Sequence, residues 1–141
     1  MVEIVTINGC FDILHEGHAY LIKKASEIAK KNRSKLVILI NSDKSVKEWK
    51  KKIGYKDWSQ RPINDVNVRK ENLLKLNGVY SVYIFSDLTP IIILDDLKPK
   101  IHVKTEEYGG NCIEKRVIEK NGGKIVVIPH LKGYSTTKLI K

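Results

Sequence analysis

Cysteine is almost absent: Cys10 and Cys112 are the only two in 141 residues. Two cysteines make no disulfide framework, and a chain of this length needs none, so a reducing cytoplasm is the expected setting. No apolar run approaches the roughly 18 residues of a membrane span. The opening Met1-Val2-Glu3-Ile4 has no basic stretch followed by a long apolar one, so no secretory signal is expected. Internal repeats, low-complexity tracts and linkers are also missing. Arginine is scarce, with Arg33, Arg61, Arg69 and Arg116 the only four. Basic nucleic-acid binders interleave arginine with exposed aromatics. The scarcity weighs against such a module, although Trp49, Tyr55 and Trp58 do stand among lysines. Acids are outnumbered, 16 Asp+Glu against 26 Lys+Arg, which leaves a net charge of +10. Such an excess attracts anions, among them phosphorylated small molecules.

What is present reads as one globular domain over residues 1–141. Hydrophobic residues are 42% and charged residues 30%, a balance that argues against disorder. A chain of this size buries about two-thirds of its unfolded surface, enough for one core. Short β-branched runs alternate with helical patterns. Strands are predicted at Ile4–Ile7, Leu36–Ile40, Tyr80–Phe85, Ile101–Val103 and Ile125–Ile128. A helix follows the first strand, with Leu21, Ile22, Ala25, Ile28 and Ala29 on one face. Asn41-Ser42-Asp43 caps a second, lysine-rich helix. Further helices are predicted at Val66–Leu76, at Ile91–Leu97 with Pro90 in its first position, and at Cys112–Lys120. A last one follows Ser135-Thr136-Thr137. This alternation implies a five-stranded parallel sheet in a Rossmann-like three-layer α/β/α sandwich. Ligands of such sheets bind beyond the carboxyl ends of the strands.

The loop after the first strand therefore matters most. It reads Asn8-Gly9-Cys10-Phe11-Asp12-Ile13-Leu14-His15-Glu16-Gly17-His18. Gly9 lets the backbone come close to a bound group. His15 and His18 stand where a helix begins, and free N–H groups at a helix start bind phosphate. Two imidazoles there add donors for the same anion. An unrelated pair of surface histidines fits the spacing too. A zinc site fits it less well, because His102, His130, Cys10 and Cys112 are scattered and give no third or fourth ligand at metal-site spacing.

The same loop resembles the H-x-G-H signature of the nucleotidyltransferase superfamily, and is most similar to its cytidylyltransferase-like branch. Three more segments match in order. Asn41 to Lys47 resembles the family's segment after the second strand. Arg61-Pro62-Ile63-Asn64 with Arg69 resembles R-P-x-N-x-x-x-x-R, and Ser135-Thr136-Thr137 resembles the closing S-T-T motif. Within the branch, N-G-C-F-D-I-L-H, Leu88-Thr89-Pro90 and Asn121-Gly122-Gly123 resemble the heptose 1-phosphate adenylyltransferases of lipopolysaccharide core synthesis (ADP-heptose synthase). Gly133 to Lys138 is similar to glycerol-3-phosphate cytidylyltransferase. One stretch departs. Where the heptose subfamily carries V-K-G-G-D-Y, this chain reads Val103-Lys104-Thr105-Glu106-Glu107-Tyr108, without the two glycines.

The resemblance implies transfer of a nucleoside monophosphate, AMP from ATP or CMP from CTP, to a phosphorylated acceptor, with release of pyrophosphate. Heptose 1-phosphate is the first expected acceptor, and glycerol 3-phosphate, a related alcohol phosphate or FMN are the alternatives. The acceptor phosphate is already ionised near neutral pH, so positioning and charge stabilisation suffice. On this implication His18 bonds the α-phosphate and His15 the phosphate chain. Gly9, Cys10 and Phe11 cradle phosphates through the backbone, and Ser135 and Thr136 hold the β- and γ-phosphates. Lys47 joins the histidines as a catalytic group, and Arg69 is a further phosphate ligand. Asp12 caps loop amides. Mg²⁺ accompanies the triphosphate, with no metal-ligating residue of the protein expected. The resemblance also implies a homodimer, with neither nucleic acid nor membrane as partner.

Overall fold

The computed structural model describes residues 2–106 and 112–129. Along the chain run β1 (Ile4–Gly9), α1 (Glu16–Lys31), β2 (Lys35–Asn41), α2 (Asp43–Lys52), α3 (Val66–Leu74) and β3 (Val79–Phe85). They are followed by α4 (Ile91–Leu97), β4 (Ile101–Thr105), α5 (Lys115–Lys120) and β5 (Lys124–Ile128). A single 3₁₀ turn, Trp58–Gln60, interrupts the loop between α2 and α3. The five strands form one sheet in the order β3-β2-β1-β4-β5, and every pairing is parallel. The predicted Rossmann-like sandwich is thus the observed one.

Strand alternation divides the core between the two faces of the sheet. On one face Val5, Ile7, Leu36, Ile38 and Ile40 pack with Ile22, Ala25 and Ala29 of α1 and Leu73 of α3. On the other face Val37, Leu39 and Phe85 meet Leu94 of α4 with Val117 and Ile118 of α5. Truncating a fully buried side chain such as Ile38 to alanine costs about 2–5 kcal/mol.

Local chemistry fixes the helix ends. Ser42 accepts from the Ser45 amide at the start of α2, and Asp65 from the Val68 amide at the start of α3. Lys30 and Lys31 lie in the last turn of α1, where the helix dipole favours cations. Gly78 has φ +90, and a Cβ there would stand 2.1 Å from Ser26 Oγ, so the turn into β3 requires glycine.

Three helix ends differ from expectation. Pro90 is the N-cap of α4, one residue before its first helical position. The third helix stops at Leu74, because the turn through Asn77-Gly78 begins earlier than predicted. The fifth starts at Lys115 and not at Cys112, since Ile113 and Glu114 form a turn and no side chain caps the helix. The predicted final helix lies outside the described residues.

Candidate active site

The chain runs outward from β1 through β2 to β3 on one side, then returns to place β4 and β5 on the other. The order therefore reverses between β1 and β4, which marks the ligand crevice at their carboxyl ends. Pairing between these two strands covers only Val5↔Ile101 and Thr6↔His102.

The H-x-G-H loop leaves β1 at this point. His15 is the N-cap of α1, and its Nδ1 accepts the Gly17 amide at 3.0 Å. The His15 amide donates to His18 Nδ1 at 3.3 Å. The two rings stack with centroids 3.9 Å apart and planes 27° apart, and Phe11 lies 5.1 Å from His18. With Nδ1 occupied as an acceptor, a neutral ring carries its proton on Nε2, and in His18 that proton meets the Ile13 carbonyl. Burial, and then the neighbouring His15 ring, push His18 down to about 4, against a bond to the Ile13 carbonyl that favours protonation. Burial lowers His15 as well. Both rings are consequently neutral near pH 7. The expected pair is brought together, in a reciprocal capping arrangement.

The cradle around the histidines is stapled from behind. Phe11 adopts φ 50, a left-handed conformation that a bulky residue holds only when its surroundings enforce it. Asp12 supplies that constraint, as expected of an amide cap. Its two oxygens accept the Ile63 and Asn64 amides at 2.7 and 2.8 Å, and Asn64 Nδ2 returns a bond to the Asp12 carbonyl. Gly9 suits the same loop, because a Cβ there would stand 3.0 Å from the Phe11 ring, closer than side chains ordinarily pack. Cys10 lies beside Asn41, with Sγ 3.9 Å from Oδ1, and burial pushes its thiol pKa up, so it stays a protonated packing group.

Arg69, expected against phosphate, lies instead wholly buried behind the loop. Nε donates to the Asn64 carbonyl at 3.0 Å, one terminal nitrogen to the Cys10 carbonyl at 3.0 Å, and the other to Asp43 at 2.8 Å. Each nitrogen of the guanidinium thus meets a protein acceptor. Lys47 reaches from α2 to the Ser59 and Arg61 carbonyls at 2.8 and 2.7 Å, which fixes the loop on the crevice's rim. Lys50 stacks on Tyr55 and Lys51 on Trp58, so these rings already carry a cation on one face. Ser135 and Thr136 lie outside the described residues.

Sequence reasoning missed a buried polar row on the sheet: Thr6 and Asn8 of β1 with His102 and Lys104 of β4, backed by Glu114. The signal was available as polar residues at every second position of otherwise apolar strands. Among the described residues no cluster of three or more His, Cys, Asp or Glu side chains is placed to hold a metal. No helix among them is long and apolar enough to cross a membrane.

Comparison with known proteins gives a consistent set of likenesses. The family model described as cytidylyltransferase-like matches residues 6–141. The bifunctional protein HldE of Coxiella burnetii is 37% identical over 139 residues, covering 98% of this chain and 27% of that protein. Its counterpart from Hyphomonas neptunium is 38% identical over 140 residues, covering 99% and 26%. The chain thus spans about a quarter of the length of these relatives. Among solved structures, a lipopolysaccharide core biosynthesis protein from Thermoplasma volcanium superposes with a TM-score of 0.67 at 23% identity. That match covers 94% of this chain and all of the other, and establishes a shared fold.

Proposed function

Because the chain belongs to the cytidylyltransferase-like family, we propose that it is a nucleotidyltransferase acting on a phosphorylated sugar. It transfers AMP from ATP to an acceptor such as heptose 1-phosphate and releases pyrophosphate. The observation that carries this reading is the stacked His15–His18 pair, neutral near pH 7, at the start of α1 beside the strand-order reversal.

The acceptor phosphate oxygen attacks the α-phosphorus in line, the bond to the pyrophosphate oxygen breaks, and pyrophosphate leaves. An ionised phosphate needs no general base, and the protonated Cys10 thiol gives no covalent nucleophile. The protein's contribution is placement and charge stabilisation. His18 turns its Nε2 proton from the Ile13 carbonyl to the α-phosphate oxygens as charge moves across them, and His15 holds the chain beyond. The main chain of Gly9, Cys10 and Phe11 lines the phosphates, Lys47 orders the loop through the Ser59 and Arg61 carbonyls, and Ser135 and Thr136 bind the β- and γ-phosphates as the family resemblance implies. Arg69 acts on the phosphates through the Cys10 carbonyl it holds.

The triphosphate would be taken up as its Mg²⁺ complex, the ion supplying charge neutralisation. Asp12 has both oxygens occupied by amides and Asp43 is paired with Arg69, so the described carboxylates of the loop form no resident cage. Residues 1–141 work as one domain, in a cytoplasmic homodimer with no nucleic-acid partner.

A pyrophosphate-release screen tests the reading. The four nucleoside triphosphates are assayed against heptose 1-phosphate, glycerol 3-phosphate and FMN. ATP with the sugar phosphate is expected to give the fastest release. CTP with glycerol 3-phosphate, or ATP with FMN, replaces the acceptor assignment. No release from any pair overturns the reading.

A further inference from the structure

The polar row at the β1–β4 junction has no packing reason to be polar. The same strands carry Val5, Ile7, Ile101 and Val103 on their other face, and an apolar row would fill the space as well. Thr6 Oγ1 lies 2.7 Å from His102 Nδ1, and His102 Nε2 lies 3.1 Å from Asn8 Oδ1. Lys104 Nζ lies 3.5 Å from the same Asn8 oxygen and 3.2 Å from Glu114 Oε1. Elementary donor–acceptor rules settle every proton in this chain. An ammonium only donates, so the Asn8 atom facing Lys104 is the oxygen. That oxygen only accepts, so His102 carries its proton on Nε2. His102 Nδ1 then accepts the Thr6 hydroxyl.

One consequence remains. With Oδ1 held by two donors, the Asn8 amide is locked against flipping, and its Nδ2 is turned away from Lys104. Nδ2 has no partner among the described residues. Asn8 is half-buried at the carboxyl end of β1, where pairing with β4 has ceased, and it directly precedes Gly9 and the phosphate loop. A locked pair of N–H donors in that place suits an anionic oxygen acceptor.

We propose that Asn8 is a binding residue whose Nδ2 donates to a phosphoryl oxygen of the substrate, with His102 and Lys104 as positioning residues that hold the amide donor-side out. The proposal rests on the nucleotidyltransferase reading and adds one residue to its site. The phosphoryl oxygen belongs either to the triphosphate or to the acceptor, and separate titrations distinguish them.

The experiment compares wild type with Asn8→Asp and Asn8→Ala. Thermal melting is recorded, and binding of inorganic tripolyphosphate, ATP and glycerol 3-phosphate is measured by calorimetry. Asn8→Asp places a carboxylate beside Lys104, so the fold is kept while the donors are replaced by charge of the wrong sign. Asn8→Ala removes the donors without adding charge and serves if the first variant misfolds. The expected result is a melting temperature near that of wild type for Asn8→Asp, a lower one for Asn8→Ala because the buried His102 Nε2–H loses its acceptor, and in both at least about a tenfold loss of affinity in one arm, the loss expected for one charge-assisted hydrogen bond. Loss in the tripolyphosphate and ATP arms places Asn8 on the nucleotide, and loss in the glycerol 3-phosphate arm places it on the acceptor. Wild type that binds while both variants bind equally well overturns the Asn8 assignment alone. Wild type that binds none of the three overturns the nucleotidyltransferase reading and this inference with it.

Discussion

Replacing Arg69 with methionine separates a scaffold role from a ligand role. The substitution roughly keeps the volume of the buried stem and deletes every donor. The Cys10 and Asn64 carbonyls lose their partners, and each unsatisfied group costs about 1–3 kcal/mol. Asp43 is 41% exposed, so water replaces its partner and its share is at most about 1 kcal/mol. The expected loss is about 2–7 kcal/mol, a large part of the 5–15 kcal/mol typical of a domain. The melting point should fall by about 6–20 °C in a chain of this size. Urea unfolding followed by tryptophan fluorescence and by far-UV circular dichroism measures the loss. Phosphate affinity should fall as well, because the Cys10 carbonyl is no longer tethered. Refutation is a variant that unfolds within about 1 kcal/mol of wild type and loses only affinity, as a direct phosphate ligand would.

His15 has two separable duties. His15→Ala should cost about 0.5–2 kcal/mol through the lost N-cap and should also cut turnover. His15→Asn should restore the melting temperature without restoring turnover, since asparagine caps but lacks Nε2; recovery of both contradicts the assignment. Acid stability carries a third expectation. His18 lies at about 4 and His102 at about 3 in the folded chain, against 6.5 when unfolded. Below pH 6.5 the unfolded chain therefore binds protons that the folded one refuses. Each group contributes a slope of up to about 1.4 kcal/mol per pH unit, with stability falling as pH drops from 6.5 toward those values. His102→Gln should flatten the slope between pH 6.5 and 5 in urea titrations, and an unchanged slope contradicts the buried neutral state of His102.

Strand positions were legible because each strand is a short apolar run, mostly buried in β1, β2 and β4 and partly exposed in the edge strands β3 and β5, and their alternation with helices sets the parallel sheet. The histidine pair was legible because a helix start is encoded locally, in Gly17 and in the residues after it. The role of Arg69 was not. Its partners are the Cys10 carbonyl, 59 positions away, and Asp43, 26 away, and only the fold brings them together. The Asn8–His102–Lys104 row was hidden for the same reason, since it joins β1 to β4 across more than 90 residues. Gly9 illustrates a further limit. The sequence suggested room for a ligand, and the structure supplies a packing reason in the Phe11 ring. The left-handed Phe11 itself carries no sequence signal, because the strain is held by Asp12 and its amide partners.

Turnover of His18→Ala, read as pyrophosphate release with circular dichroism recorded in parallel, probes the heart of the account. Loss of one preorganised donor to the transferring group should lower the rate at least about a hundredfold while the spectrum stays that of wild type. A folded variant that releases pyrophosphate at the wild-type rate would mean that the stacked imidazoles do not hold the reacting phosphate.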